Sequence, residues 1–282
     1  MQHPPVMQAV GVSKQYPGTL ALNEVSFDIY PGKVNVLIGE NGAGKSTTIG
    51  LLLGLLHRDG GEIRLLGEEP GAGVLDDVGV VLDEAQFPDC LNARDMGRTL
   101  ALTYRNWDQK AYEGYLHRFR VPGDKAIKTY SRGMKVKLML AAALSHDAKL
   151  LVLDEATAGL DPIVRDEILD ILIEYTRDES HSVLLSSHII SDLEKICDTI
   201  AFLHEGHLAF CQDKDALLDD HALVSGSEAE LRALPKGTIL GLRRTPYGAQ
   251  ALVRRNILPA GTDCDRATLE DIVLYMSRDK EV

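Results

Sequence analysis

The sequence predicts an α/β fold built on a buried parallel sheet. Three short, mainly apolar segments at residues 34–38, 150–153 and 183–185 each run directly into a polar or glycine-rich loop. Strands that are apolar along their whole length are typical of parallel sheets, because helices cover both faces of such sheets. Helical patterns follow the first two segments, at residues 45–56 and from Pro162 onward. This alternation of strands and helices indicates an α/β architecture.

The N-terminal region predicts a second, smaller sheet. Residues 6–30 alternate apolar and polar side chains in places, as in the segment VSFDI, and a period of two residues is the pattern of a half-buried strand. Pro31 and Gly32 form a turn before the first buried segment. Further short strands are predicted at 63–66 and 78–82. We therefore expect a small antiparallel sheet beside the parallel one.

Two stretches depart from this alternation. Residues 84–145 are mostly helical in pattern, with two breaks at prolines, and they predict a helical insertion within the α/β domain. Near the C-terminus, a short helix, strands around a turn and a last amphipathic helix at 269–276 predict a small α+β appendage over residues 213–282. The appendage carries no chemistry that the sequence identifies.

Composition excludes several classes of protein. The chain has 282 residues, of which 45% are hydrophobic and 26% charged, and this is typical of a globular protein with a sizeable core. A net charge of −12 argues against a nucleic-acid-binding surface, which would need clustered basic residues. The four cysteines lie far apart, which favours a reducing compartment over a disulfide framework or a zinc site. No signal pattern begins the sequence, and no apolar run reaches the roughly 18 residues of a membrane-spanning helix.

The segment GENGAGKST predicts a nucleotide-binding loop. It fits the pattern G-x-x-x-x-G-K-[ST] and lies between a predicted strand and a predicted helix, which is the context that this motif requires. Its glycines let the backbone fold around phosphate oxygens, so that amide N–H groups and the helix N-terminus face the anion. The lysine would reach the β- and γ-phosphates, and the serine hydroxyl would ligate Mg²⁺. The predicted nucleotide contacts are Gly39, Asn41, Gly42, Ala43, Gly44, Lys45, Ser46 and Thr47.

The segment LLVLDEAT predicts an acidic pair at the end of a buried strand. Ligands of parallel α/β sheets bind at the carboxyl ends of the strands, where Asp154 and Glu155 would lie. Asp154 would hold Mg²⁺, usually through water, and Glu155 would orient and polarise the attacking water. An acidic pair after a strand is also a common helix cap, and it is the phosphate loop that favours the catalytic role. His188 ends the third buried strand, from which its imidazole would contact the γ-phosphate or the attacking water, or serve only a structural role.

The segment YSRGMKVK is a polar entry into a strongly apolar helix. Ser131 offers a hydroxyl and Gly133 a bare backbone at the point where a helix N-terminus presents unpaired N–H groups and partial positive charge. An ordinary helix start needs only one capping oxygen. The segment therefore indicates a docking point for an anion.

Taken together and in this order, the motifs resemble the ATP-binding cassette family, specifically the nucleotide-binding subunit of an ABC transporter. The resemblance covers about residues 6–212. It implies a P-loop NTPase cassette with a RecA-like core, a small antiparallel β-subdomain and a helical subdomain at about 84–145, followed by the appendage. YSRGM stands where the family has its LSGGQ signature, with Arg132 in place of a glycine and Met134 in place of the glutamine.

The resemblance also implies roles for single residues. Ser131 and Gly133 would cap the γ-phosphate of ATP bound to the opposite subunit, so that two chains, head to tail, bury two ATP molecules. Tyr16 resembles the aromatic residue that stacks on adenine, and the alternative is an exposed loop tyrosine. Asp161, in AGLD, resembles the loop residue that touches the partner's site, and it can also be an N-cap. His188 matches the family's switch histidine.

One position departs from the family. A glutamine that senses Mg²⁺ and the membrane partner normally follows the strand before the helical insertion, whereas here that strand ends in Asp83-Glu84, and Gln86 lies beyond the expected place. Asp83 could still contact Mg²⁺ or its water, but it adds negative charge beside the phosphates. With YSRGMK and SSHIISDLEKICD, this feature looks most like the YtrB-type branch of bacterial ABC exporters, whose membrane subunits are separate chains.

The leading hypothesis is therefore an ATP-hydrolysing motor subunit. Its expected partners are membrane permease subunits on separate chains, docked near residues 83–96, and a second cassette, either identical or different. We expect a peripheral subunit on the cytoplasmic face of the cell membrane, using ATP and Mg²⁺ and no nucleic acid. The alternatives are a soluble ABC ATPase acting on ribosomes or DNA, which usually has two cassettes or a basic insertion, and a kinase with a phosphate loop.

Overall fold

A computed structural model describes residues 4–83, 87–246, 248–259 and 261–277, so that Gln86 and its two predecessors lie outside the described residues. Three sheets and the helices that cover them make up this part of the chain. The strands are β1 (Met7–Tyr16), β2 (Thr19–Ile29), β3 (Val34–Ile38), β4 (Gly60–Leu65), β5 (Val78–Val81), β6 (Leu150–Asp154), β7 (Ser182–Ser187), β8 (Thr199–His204), β9 (His207–Asp213), β10 (His221–Gly226), β11 (Ile239–Thr245), β12 (Gly248–Arg254) and β13 (Asp265–Arg266).

The α-helices are mostly short. Within the described residues, no helix combines the length and the apolar character needed to cross a bilayer. The helices are α1 (Lys45–Leu52), α2 (Ala72–Leu75), α3 (Ala93–Leu100), α4 (Gln109–Arg118), α5 (Arg132–Ala143), α6 (Pro162–Tyr175), α7 (Ile190–Leu193), α8 (Lys214–Asp220), α9 (Glu228–Arg232) and α10 (Leu269–Met276).

The central sheet has the order β5-β6-β7-β3-β8-β9. All neighbouring pairs are parallel except β8 and β9, which form an antiparallel hairpin at one edge. The parallel sheet predicted from the three apolar segments is therefore confirmed, and β6 and β7 are neighbours as expected. Because the strands are parallel, the carboxyl ends of β3, β5, β6 and β7 lie along the same edge, and the loops that leave this edge form the site.

Both faces of the central sheet are covered. Val36 and Ile38 of β3 pack into the core that includes the helical insertion, whereas Leu37 packs into the core under the antiparallel sheet and α1. This alternation follows from the pleat of a strand, which directs successive side chains to opposite faces. The antiparallel sheet, of order β2-β1-β4, confirms the second predicted sheet. Its third strand, β4, follows α1 in the chain.

The helical insertion contains α3, α4, a 3₁₀ turn at Ile127–Thr129 and α5. The Asn92 side chain caps α3 and the Asp108 side chain caps α4. The Tyr112 hydroxyl, on a fully buried side chain, donates to the Ala93 carbonyl oxygen at 2.8 Å and ties the two helices together. Within the described part of residues 84–145, the regular elements are therefore helices joined by loops.

The C-terminal part contains a sheet of order β11-β12-β10-β13 with α9 and α10. The last helix spans Leu269–Met276, the range expected from its amphipathic pattern. It packs on β11 and also on α7, so its apolar face is continuous with the main core. The sequence pattern did not predict β8 or β9, which are joined by a two-residue turn at Glu205 and Gly206 with φ values of 47° and 76°.

Candidate functional site

The glycine-rich loop joins β3 to α1 in a conformation that its glycines permit. Gly44, the N-cap of α1, has φ 107°, and a Cβ atom there would lie 2.6 Å from Cδ2 of Leu22. A Cβ atom on Gly39 would lie 2.5 Å from the carbonyl oxygen of Leu203. A side chain at either position would therefore collide with a neighbouring element, and one at Gly44 would also be strained by the positive φ of that residue.

Lys45 occupies the centre of this loop. Its side chain is 5% exposed, and its ammonium donates to the carbonyl oxygens of Gly39 at 2.9 Å and Glu40 at 3.1 Å. The same nitrogen lies 3.3 Å from Oε1 of Glu155. The ammonium is thus held at the N-terminus of α1, beside its unpaired backbone N–H groups. A bound anion can replace part of these contacts.

A serine hydroxyl joins the Asp154 carboxylate to the backbone of Glu155 at the end of β6. In the parallel register Asp154 lies opposite Ser186 of β7. The Ser186 hydroxyl donates to Oδ1 of Asp154 at 2.6 Å and accepts from the backbone N–H of Glu155 at 3.0 Å. Glu155 itself has φ 48°, a strained left-handed conformation that buried hydrogen bonds must maintain. Ser186 was not predicted as a site residue, although its place at the end of a buried strand is visible in the sequence.

His188 completes a chain of polar contacts. Its Nδ1 atom lies 2.7 Å from Oε2 of Glu155, whose other oxygen faces Lys45. The Glu155 side chain is 15% exposed, while the imidazole is 45% exposed and reaches the open side of the cleft. The carboxylate therefore lies between a cation and an imidazole at the carboxyl edge of the sheet.

These groups line one cleft of about 470 Å³. Nine of the predicted site residues lie in its described lining. They belong to the loop between β3 and α1, to the start of α1, and to the loops that follow β5, β6 and β7. Thr19 and Ala21 of β2 and Ala158, Gly159 and Arg132 also line it, and the sequence analysis had given none of these a place in the cleft. The predicted residues in the lining are Asn41, Gly42, Gly44, Lys45, Ser46, Thr47, Asp83, Glu155 and His188.

Three further predicted residues lie behind this lining. Gly39 and Ala43 are buried in the loop, and Asp154 is 9% exposed beneath Glu155. The structure thus brings the loop, both carboxylates and the histidine together, as expected from the parallel order of their strands.

Four predicted residues lie outside the lining of their own chain's cleft. Ser131 is exposed and is the N-cap of α5, with its hydroxyl accepting from the N–H of Met134 at 3.3 Å. Gly133 packs closely on α6, since a Cβ atom there would lie 3.1 Å from Cγ1 of Val164. Asp161 is the N-cap of α6 and accepts from the N–H of Val164 at 3.0 Å, with Pro162 at the first helical position.

Tyr16 is the fourth of these residues. It ends β1, is 38% exposed, and has the Lys14 ammonium 5.5 Å from the centroid of its ring. Its partner across the hairpin is Thr19, which does line the cleft. A role for Tyr16 in stacking on adenine, and roles for Ser131, Gly133 and Asp161 across a subunit interface, stay predictions.

The residues of the cleft suit a magnesium ion held mainly by phosphates and water. Ser46 offers a hydroxyl and Asp154 a carboxylate, and Mg²⁺ prefers oxygen ligands and usually takes only one or two from the protein. Across the described part of the chain, no three side chains of His, Cys, Asp or Glu are grouped closely enough to form a metal cage. The oxygen donors that the described residues offer beside the glycine-rich loop are therefore Ser46 and Asp154.

Comparison with known proteins agrees with this geometry. A family model described as ABC transporter matches residues 22–158. The uncharacterized ABC transporter ATP-binding protein YhcH of Bacillus subtilis is 34% identical over 77% of this chain and 73% of its own length. The lantibiotic transport ATP-binding protein SrtF of Streptococcus pyogenes is 34% identical over 74% of this chain and 92% of its own length. The bacitracin transport ATP-binding protein BcrA of Enterococcus faecalis is 33% identical over 72% of this chain and 68% of its own length.

Solved structures give the same answer. One described as the ATP-binding subunit of an ABC transporter superposes with a TM-score of 0.69 at 27% identity, covering 75% of this chain and 91% of its own. The cassette MJ0796, in a dimeric post-hydrolysis state bound to ADP and phosphate, has the same fold, with a TM-score of 0.67 at 19% identity over 74% of this chain and 98% of its own. On its relatives and its fold, this chain belongs to the ATP-binding proteins of ABC transporters.

Proposed function

We propose that this chain drives a membrane permease by closing with a second cassette around ATP and reopening after hydrolysis. The observation that carries the proposal is the polar chain Lys45–Glu155–His188 at the mouth of the glycine-rich loop. It places a phosphate-binding cation, a carboxylate and an imidazole around the point where the γ-phosphate of a nucleotide on this loop would lie.

Each of these groups has a distinct task in hydrolysis. Glu155 orients the attacking water by accepting a hydrogen bond from it and polarises it for attack. This is the role of a positioned general base. Lys45 stabilises negative charge on the transferred phosphoryl group from a fixed position, so that little reorganisation is needed during reaction. His188 holds the second carboxylate oxygen, at 2.7 Å, and thereby fixes the direction in which the first one points.

Magnesium is the cofactor that the donor set favours. When bound, Mg²⁺ would offset the negative charge of the phosphates. We assign Ser46 and Asp154 as the protein groups that hold it. The Ser186 hydroxyl orients the Asp154 carboxylate by donating to it. Asp83 lies in the lining of the same cleft and is the third candidate.

Pairing of two cassettes follows from the position of the α5 N-terminus. Ser131 is exposed and does not line its own chain's cleft, so its hydroxyl and the N–H groups of the helix start can serve an anion supplied by another chain. We propose that Ser131 and Gly133 of one chain cover the ATP held by residues 39–47 of its partner, and that Asp161 approaches the same interface. The partner is a second copy or a different cassette.

The permease would dock beside the helical insertion. A second cleft of about 480 Å³, lined partly by Phe87, Tyr130, Val136 and Met139, lies between the end of β5 and the start of α5. These four side chains support contact with a separate membrane chain, and we propose that the subunit is a peripheral protein at the cytoplasmic face. The relatives named for bacitracin and lantibiotic transport support export, and the narrower likeness to the YtrB-type branch stays a prediction.

We further propose that residues 6–212 are the cassette and residues 213–282 an appendage. The family model ends at residue 158, and the relatives described above match 72–77% of the chain, which supports a C-terminal part outside the shared unit. The transported substrate is determined by the permease.

Fractionation of native cells tests the proposed location and partner. The chain is expected to sediment with membranes, to be released by alkaline carbonate as a peripheral protein is, and to co-purify in mild detergent with a polytopic protein that alters its phosphate release. A Lys45→Ala variant is the control, because it should fractionate in the same way while releasing no phosphate. Recovery of the chain with ribosomes or with DNA in place of membranes would instead support the soluble ABC ATPase.

Ser186 should matter for turnover although it does not line the cleft. In Ser186→Ala the Asp154 carboxylate loses its hydroxyl donor, and the Glu155 N–H keeps only the backbone carbonyl oxygen of residue 186, at 3.2 Å, so that the Asp154 side chain and the Glu155 backbone gain freedom. Outer-shell partners of this kind are worth about 10- to 100-fold in activity, and we expect a loss of that size in phosphate release.

The control for this variant lies on the same strand. Ser182 is also fully buried, and its hydroxyl accepts a backbone N–H, that of Gly32 at 3.2 Å, but it lies at the opposite end of β7. Ser182→Ala should therefore change the melting temperature as much as Ser186→Ala does, without the loss of turnover. Equal turnover in the two variants would remove Ser186 from its positioning role.

A further inference from the structure

Two of the three residues that depart from the family pattern meet in the structure. Asp83 follows β5, and Arg132 begins α5, 49 residues later, yet the Arg132 guanidinium donates to Oδ1 of Asp83 in a direct ion pair. Both side chains line the nucleotide cleft. An acidic residue at the end of β5 and a basic residue at the start of α5 are therefore complementary in space.

Arg132 also touches a third loop. A Cβ atom on Gly159 would lie 3.8 Å from Nε of Arg132 and 4.0 Å from its Cζ, so the guanidinium stem lies over the bare backbone of the loop that follows Glu155. One side chain thus bridges the end of β5, the start of α5 and the loop after β6.

The balance of charge explains what the pair does. Among the ionisable side chains in the described lining, Lys45 and Arg132 are cations and Asp83 and Glu155 are carboxylates, so with a neutral imidazole the cleft is balanced. Without Arg132, one negative charge would be left over at a surface that must accept a triphosphate. A carboxylate without a counter-ion repels the phosphates beside it and so weakens their binding.

We propose that Arg132 is the counter-ion of Asp83 in the nucleotide cleft, and that this pair lets the chain bind a triphosphate beside a carboxylate. The inference rests on the proposed function, because it concerns the same ATP. Arg132 acts through Asp83 and is therefore a positioning residue. The side chains are 46% and 52% exposed, so the pair contributes little to the stability of the free chain, and its effect is on the ligand.

A double-mutant cycle on nucleotide affinity tests the proposal. The substitutions are Arg132→Met, Asp83→Asn and the two combined, and the readout is the Kd of a fluorescent, non-hydrolysable ATP analogue with Mg²⁺ and with EDTA. The affinity should be measured in a Ser131→Arg background at low protein concentration, where each site belongs to a single chain.

Arg132→Met alone is expected to weaken binding about fivefold, and Asp83→Asn in the same chain should restore most of the loss. The loss should be larger in EDTA, where the full charge of the phosphates faces the unpaired Asp83, and smaller at high salt. A merely structural role of Arg132 would not be rescued by a second substitution and would not depend on Mg²⁺.

Lys135 supplies the matched control. It lies on the same helix, three residues from Arg132, and its ammonium pairs with Asp89 at 3.4 Å outside the nucleotide cleft. Lys135→Met should leave the Kd unchanged. Two results would overturn this inference and leave the proposed function intact. One is normal binding by the parent chain with no coupling between positions 83 and 132, and the other is an effect of Arg132→Met seen only in paired cassettes. Absence of nucleotide binding by the parent chain would overturn the proposed function.

Discussion

Replacement of Glu155 by glutamine is expected to abolish turnover and leave ATP bound between two chains. The amide has the length of the carboxylate, and its oxygen can still accept from the Lys45 ammonium, which lies 3.3 Å from Oε1 in the parent chain. What the variant loses is the charge that polarises water. Loss of a positioned general base lowers the rate about 10²- to 10⁴-fold, so ATP should persist while binding is retained.

Two measurements distinguish this trap from simple damage. Phosphate release should fall to background, and light scattering in the presence of ATP and Mg²⁺ should show a mass of two chains that returns to one chain after the nucleotide is removed. Glu68→Gln is a suitable control, because Glu68 is exposed in the turn after β4 and lies outside the cleft lining. Parent-like phosphate release by Glu155→Gln would remove Glu155 from the catalytic role.

The local features of this fold were accessible from the sequence because each depends on a few adjacent residues. The bounds of β3 follow from an apolar segment between a turn and a glycine-rich loop, and the start of α6 follows from Asp161 as N-cap with Pro162 after it. The last helix was predicted from its amphipathic pattern, and in the structure the Thr268 hydroxyl caps it by accepting from the N–H of Asp271. In each case the signal and the structure occupy the same short segment.

Features that depend on a tight turn of unusual composition were missed. The β8–β9 hairpin has two turn residues of positive φ, a conformation for which Asn-Gly or Asp-Gly is the usual signal. Here the first turn residue is Glu205, so the pattern is hidden, although Gly206 supplies the second position without strain. The flanking strands pair from Thr199 and Asp213 up to the turn, with one register shift between Phe202 and Leu203.

Features that depend on distant residues were also missed. Ser186 contacts the acidic pair only because β6 and β7 are in the register that places it opposite Asp154. Arg132 meets Asp83 only because α5 packs so that its start lies near the end of β5. Neither a strand register nor a helix position can be obtained from one sequence, whereas the order of parallel strands was enough to bring Lys45 and Glu155 together.

Ser131→Arg should block closure of two cassettes while leaving ATP binding by one chain nearly unchanged. Ser131 is exposed at the start of α5 and lies outside its own chain's cleft lining, so the free chain has room for an arginine there. In a closed pair the same atoms would occupy the space of the partner's γ-phosphate. With ATP, the double variant Ser131→Arg/Glu155→Gln should therefore have the mass of one chain in light scattering. The single variant Glu155→Gln should have the mass of two chains.

The arginine also removes a helix cap, which needs its own control. The lost hydrogen bond from the Met134 N–H costs about 0.5–2 kcal/mol, as at other N-caps. Ser227→Arg removes an equivalent exposed cap, that of α9 in the C-terminal sheet, and should lower stability without affecting closure. Ser131→Glu is a second probe of the site, because a carboxylate opposite the phosphates repels them even where the bulk of a side chain is accommodated. ATP-dependent pairing that survives both substitutions at Ser131 would show that the start of α5 does not cover the nucleotide, and the closure mechanism would have to be abandoned.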